Sequence, residues 1–162
     1  VAQTTVDAIQ EHQRAHMIQI PRLVRLIKEA CAAPDDIVIR NQAIDLAAKL
    51  YHNDLELLVL KFLETGLMKV MPSSPKYRDF VEKSFGFTSF LAYACCIQYW
   101  TFRIMLGGFV LKLLSLPDMI ISPFPFDTSA IEAHDVQAAE CIAMCTEYSS
   151  KQTLKAFWFS FV

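Results

Sequence analysis

What this chain of 162 residues lacks narrows its chemistry before anything in it is read. It has no Gly-rich phosphate loop, no nucleophile elbow, and no local Ser–His–Asp or Cys–His set, so no enzyme class has a motif to stand on. It has no C-x-x-C pair. Its five cysteines, Cys31, Cys95, Cys96, Cys141 and Cys145, make an odd count that argues against a disulfide scaffold and for thiols held in a reducing, intracellular compartment. It lacks a charge imbalance: at −2 nothing suggests an electrostatic surface for nucleic acid, and direct nucleic-acid binding is not expected. No Lys or Arg occurs between Lys112 and Lys151, whereas Asp118, Asp127, Glu132, Asp135, Glu140 and Glu147 all fall there. That run is expected to form an acidic face, with a docking site for a basic partner as the alternative. The polar start VAQTTVDAIQEHQR has no secretory signal pattern. The chain opens without Met and stops on the apolar run AFWFSFV, so both ends are expected to be cuts within a longer protein.

What is present is apolar and helical. Hydrophobic residues make up 54% of the chain, including 12 Phe, above the usual level for a soluble domain and enough for one sizeable core. The expected fold is all-α: a compact, multi-helix single domain over residues 1–162 around a long, mostly buried, aromatic-rich central helix. Gln13, Met17, Ile20, Val24, Ile27 and Cys31 recur at helical steps along one stripe, interrupted by Pro21, which predicts a kink or two helices meeting there. After Pro34, Asp35 and Asp36 sit where a helix dipole favours negative charge. Ile39, Ala43, Leu46 and Leu50 then form an apolar face, with Arg40, Asn41, Asp45 and Lys49 off it. Asn53 and Glu56 have capping-box spacing for a restart that runs to about Thr65, with Gly66 as the stop. The segment LMKVMPSSPKYR reads as a loop, and no strand alternation is found. PDMIISPFPF is a proline-rich connection. Ser129 and Glu132 have capping-box spacing for a helix to about Tyr148, and the segment from about Thr153 is helix or apolar coil.

The stretch LAYACCIQYWTFRIMLGGFVLKLL is long enough to cross a bilayer, which needs about 20 apolar residues. Arg103 argues against a span: a mid-helix arginine costs roughly 2.5–3.5 kcal/mol on insertion scales. The stretch is instead expected to be the core helix, from about Thr88 or Ser89 to Ser115 before Pro117, with no membrane association. Gly107 and Gly108 cost about 1 kcal/mol each relative to Ala, which suits a helix crossing closely there.

No metal or cofactor is expected. His134, Cys141 and Cys145 share a helical stripe, but a seven-residue step spans about 10.5 Å, too far for one zinc, so ordinary packing is the expectation. Cys95 and Cys96 are adjacent and diverge on a helix. His12, His16 and His52 fall on polar faces and are expected in solvent, although a four-residue step would let the first two share a surface metal. Asp35–Asp36 resembles half of a magnesium motif, but no further carboxylates follow. The one candidate ligand site is aromatic: Phe90, Tyr93, Tyr99, Trp100, Phe102 and Arg103 could line a pocket for a small apolar effector.

Three segments together resemble a known family. They are RNQAIDLAAKLYHNDLELLVLKFLE, SFGFTSFLAYACCIQYWTFRIML around Tyr99–Trp100, and FDTSAIEAHDVQAAECIAMCTEY with Glu132, Asp135, Val136, Ile142 and Tyr148. Their order is similar to the regulatory region downstream of the DNA-binding domain in filamentous-fungal transcription factors of the zinc binuclear cluster type, over roughly residues 35–162. The resemblance implies a nuclear, all-helical, non-catalytic regulatory or protein-interaction domain that controls transcriptional activity through effectors, protein partners or a homodimer. The six-cysteine DNA-binding cluster of that family has no counterpart in this sequence, and no family site residue carries over.

Overall fold

The computed structural model describes residues 2–52, 55–116 and 126–159. Among these residues the chain runs α1 (Ala2–Met17), α2 (Ile20–Ala32), α3 (Ile37–Tyr51), α4 (Leu55–Glu64), β1 (Met68–Pro72), β2 (Lys83–Phe87), α5 (Phe90–Leu114), α6 (Thr128–Met144) and α7 (Thr146–Phe159). Helix takes 73% of the residues and strand 7%, so the fold is mostly helical but not all-α.

The correction is the hairpin. β1 and β2 pair antiparallel from Met68 opposite Phe87 to Pro72 opposite Lys83, where LMKVMP was expected to be loop. Pro72 is tolerated because it ends a strand at a sheet edge, where a missing N–H breaks no ladder. Only Met68 of β1 is buried, so the strand carries little alternation to read.

Local chemistry accounts for the helix ends. Proline's ring clashes with the carbonyl four residues back; for Pro21 that is Met17, where α1 ends, and Pro21 occupies the first turn of α2. Because the helix breaks there, the stripe read across it dissolves. Val6, Ile9 and Gln13 of α1 and Leu23, Leu26, Ile27 and Ala30 of α2 are buried, while Met17 and Cys31 are exposed. Asp36 caps α3, accepting from Val38 N and Ile39 N at 3.0 and 3.1 Å. Arg40, expected on the polar side of α3, is buried and donates to the Pro34 carbonyl at 2.9 Å. Asn53 and the connection at 117–125 lie outside the described residues. Gly66 follows α4 with φ 71°, the left-handed geometry that a glycine adopts without strain. Ser89 caps α5 by accepting from Ala92 N at 3.1 Å. The cap of α6 is Asp127, not Ser129: its carboxylate accepts from Ser129 N and Oγ at 3.0 and 2.8 Å. The last helical stretch breaks at Cys145, earlier than expected, and α7 starts at Thr146.

Helix α5 is apolar around most of its circumference because it serves two cores. Its C-terminal half, through Phe102, Leu106, Val110 and Leu113, packs with Leu23, Leu26, Ala43, Ala47 and Leu50 of α2 and α3. Its N-terminal half, through Cys95, Cys96, Tyr99 and Trp100, packs with Ile9 of α1, Phe62 of α4, Phe85 of β2 and Cys145. By length and composition α5 is also the one described helix able to cross a membrane. Where α6 crosses α5, the Asp135 carboxylate rests against Gly107, and a methyl group there would overlap it. Gly108 faces open space, so only one of the two glycines is explained by the crossing.

The expected acidic face does not hold together either. Asp127, Glu132 and Glu140 are exposed, Asp135 turns toward α5, Glu147 is buried, and Asp118 lies outside the described residues. Glu147 straps α7 to the hairpin: its carboxylate accepts from Ser74 N and Ser84 Oγ at 3.1 Å each and from Lys151 Nζ at 2.8 Å.

Candidate functional site

Where the two halves of the core meet, α4, α5, α6 and the hairpin leave a cleft of about 200 Å³. Val59, Leu60 and Leu63 form its α4 wall, Met68 and Phe85 its hairpin wall, and Ala138 and Cys141 its α6 wall. The floor is α5, which contributes Tyr99, Trp100 and Arg103. Spacing explains that set: residues at i, i+1 and i+4 share one side of a helix. Phe85 stacks on Trp100 at 5.5 Å between centroids and 13° between planes, which fixes one wall to the floor.

The other candidates lie elsewhere. Phe102 does not line the cleft; it is buried in the second core, edge-on to His16. Tyr93 packs against Phe87 and Tyr148 at 5.6 and 5.1 Å, beyond the hairpin end of the cleft. Phe90 is 62% exposed at the first turn of α5.

Arg103 is the polar centre of the cleft. Nη1 donates to the Tyr51 carbonyl at 2.7 Å, and the guanidinium lies 4.1 Å over the Tyr51 ring. Tyr51 ends α3, so this cation also meets the negative end of that helix. Nη2 donates to His134 Nδ1 at 3.0 Å, and the Tyr51 hydroxyl is 3.2 Å from the same nitrogen. A guanidinium carries donors only, so Nδ1 must accept in this contact, which assigns the ring proton to Nε2. Sequence reasoning left His134 to ordinary packing. The signal for it was Arg103 itself, since a cation within an apolar helix requires acceptors from other elements.

Burial governs the titrating groups around the cleft. It pushes the Tyr99 hydroxyl up to about 12 and raises that of Tyr51, in both cases against the nearby Arg103 charge. Asp135, beside His134, is raised by burial as well, although Arg103 opposes the shift. Cys141 is raised by burial and so is kept as a thiol. The lining contains one carboxylate, Glu56, which is exposed, and one imidazole, His134, whose acceptor nitrogen is already engaged.

Among the described residues no three His, Cys, Asp or Glu side chains are placed to hold a metal ion. His12 and His16 are partly buried instead of solvent-exposed, with ring centroids 4.4 Å apart, and His16 Nδ1 is 2.8 Å from the His12 carbonyl. His52 is exposed and stacks on Phe126 at 5.5 Å.

Comparison with known proteins finds no matching family model, no matching curated protein and no matching solved structure.

Proposed function

We propose that this chain is a non-catalytic regulatory domain whose state is set by a small, largely apolar effector bound in the cleft over Tyr99, Trp100 and Arg103. The cleft carries the reading: apolar walls from three elements around a few convergent polar groups are the usual make-up of a small-molecule site. A catalytic reading has less support, because the cleft offers a thiol held protonated and a neutral imidazole already engaged by Arg103.

The resemblance of residues 35–162 to the regulatory region of fungal zinc binuclear cluster transcription factors supplies the setting: an intracellular, nuclear protein whose transcriptional activity this domain controls. The mostly helical fold is compatible with it. An interaction role is a second part of the same reading. Ile37 and Val38, adjacent at the start of α3, are both about two-thirds exposed and are the apolar surface on which a protein partner or a homodimer would dock. The packing of α5 into two cores, although less than half of the helix is buried, and the contacts of Arg103 with Tyr51 and His134 support a water-soluble body.

Thermal-shift screening against apolar metabolites tests the effector site, with Leu60→Trp at the half-exposed wall as a blocked control. Compounds are expected that stabilise the wild type and not the blocked variant. An inert panel, or hits indifferent to the block, would contradict the proposal. For the setting, a six-cysteine cluster and basic linker are expected upstream in the parent protein, and their absence would remove it.

A further inference from the structure

We infer that the effector is a monocarboxylate whose acid group is held by Arg103 and whose apolar body lies between Val59, Leu63, Phe85 and Trp100. This deepens the cleft reading above and rests on it. Arg103 is half-buried at the floor of the cleft, and every partner it has there is neutral or a partial charge: the Tyr51 carbonyl, the Tyr51 ring face and His134 Nδ1. Among the described residues no carboxylate lies within ion-pair distance of it. Asp135 is near enough to feel its charge but packs against Gly107. A half-buried cation that no carboxylate contacts directly, with Asp135 acting only at a distance, favours an anion over a neutral guest.

The geometry suits a carboxylate in particular. Two anchored nitrogens and stacking on Tyr51 hold the guanidinium plane in one orientation. A planar fork fixed in this way recognises a planar, two-oxygen acceptor, and it has more N–H donors than its two acceptors use. The walls that surround it are aliphatic and aromatic, so the remainder of the guest is apolar. Glu56, the one carboxylate of the lining, sits exposed at the rim and opposes an acid guest; it therefore discriminates against guests with a second acid group.

Isothermal titration of the whole chain with matched acid and amide pairs, octanoate with octanamide and 3-phenylpropionate with its amide, separates the two levels of the argument. The acid is expected to bind at least about tenfold more tightly than its amide, with the advantage shrinking as salt is added. Arg103→Gln is expected to abolish the difference. Glu56→Gln, on the exposed rim, leaves the fold alone and is expected to tighten the acid without affecting the amide. Equal binding of acid and amide to the wild type would overturn the carboxylate inference and leave the cleft reading standing. Binding of neither would overturn both.

Discussion

The carboxylate of Asp135 on α6 rests directly on Gly107 of α5, at the crossing of the two helices that frame the cleft. A side chain at position 107 would overlap that carboxylate and force it to move, whereas position 108, one residue further round the helix, faces open space. The two glycines are chemically identical and predict opposite outcomes. Gly107→Ala should destabilise by about 1–3 kcal/mol, the usual range for overpacking. Gly108→Ala should stabilise by up to about 1 kcal/mol through helix propensity. Urea midpoints of the two variants check the signs.

Glu147 predicts an acid limb in stability. The Lys151 ammonium, with the Ser74 amide and the Ser84 hydroxyl, holds its carboxyl at about 2, below the ordinary 4.5. A depressed value means that the unfolded chain takes up this proton first. The contribution is therefore whole above the ordinary carboxylate range and is lost as pH falls toward the folded value. Melting temperature should drop over that window, and Glu147→Gln should flatten part of the drop. Lys151→Ala should cost less than about 1 kcal/mol, because its ammonium is 61% exposed. Glu147→Ala should cost about 1–3 kcal/mol by stranding the Ser74 amide and leaving the Ser84 hydroxyl only its Ser73 partner. An equal loss in the two alanine variants would refute the strap.

The thiols should divide sharply. Cys31 is exposed, whereas Cys95, Cys96 and Cys145 are buried. Burial raises the pKa of Cys95 and Cys96 and pushes Cys145 up to about 12. A disulfide reagent at neutral pH should find one fast thiol in the native protein and all five after denaturation. Rapid labelling of Cys96 would mean that the N-terminal half of α5 is not enclosed.

Much of this fold can be read locally, and the failures share one cause. Asp36, Gly66 and Ser89 fix helix ends through their own backbone neighbours, so the sequence shows them. The inward turn of Glu147 depends on Ser74 and Ser84, far back along the chain, and the hairpin and the turn of Arg40 onto the Pro34 carbonyl leave no period in the sequence. The cleft follows the same division. Tyr99, Trp100 and Arg103 fall within about a quarter turn of one another by spacing, and Phe102 lies past the Tyr99 edge of that arc, where the fold buries it in the other core. Counting aromatic residues grouped them; only the helix axis separates them. Val59, Met68, Phe85 and His134 come from four other elements and meet the floor only in the folded chain.

Arg103 also serves the fold, because it satisfies the last carbonyl of α3. Arg103→Lys keeps the charge but cannot bridge the Tyr51 carbonyl and His134 with one rigid plane, and should lower stability by about 1–3 kcal/mol. Nitrogen-detected NMR of His134 in the wild type should show the proton on Nε2. A proton on Nδ1 would contradict the hydrogen bond from Arg103.

The most direct test of the cleft as an effector site is a methyl-detected NMR titration with octanoate. Saturable shifts are predicted at Val59, Leu60, Leu63 and Met68, with Leu23, Leu26 and Leu113 of the opposite core unmoved. Shifts centred instead on the exposed Ile37 and Val38, or no saturable shift anywhere, would contradict it.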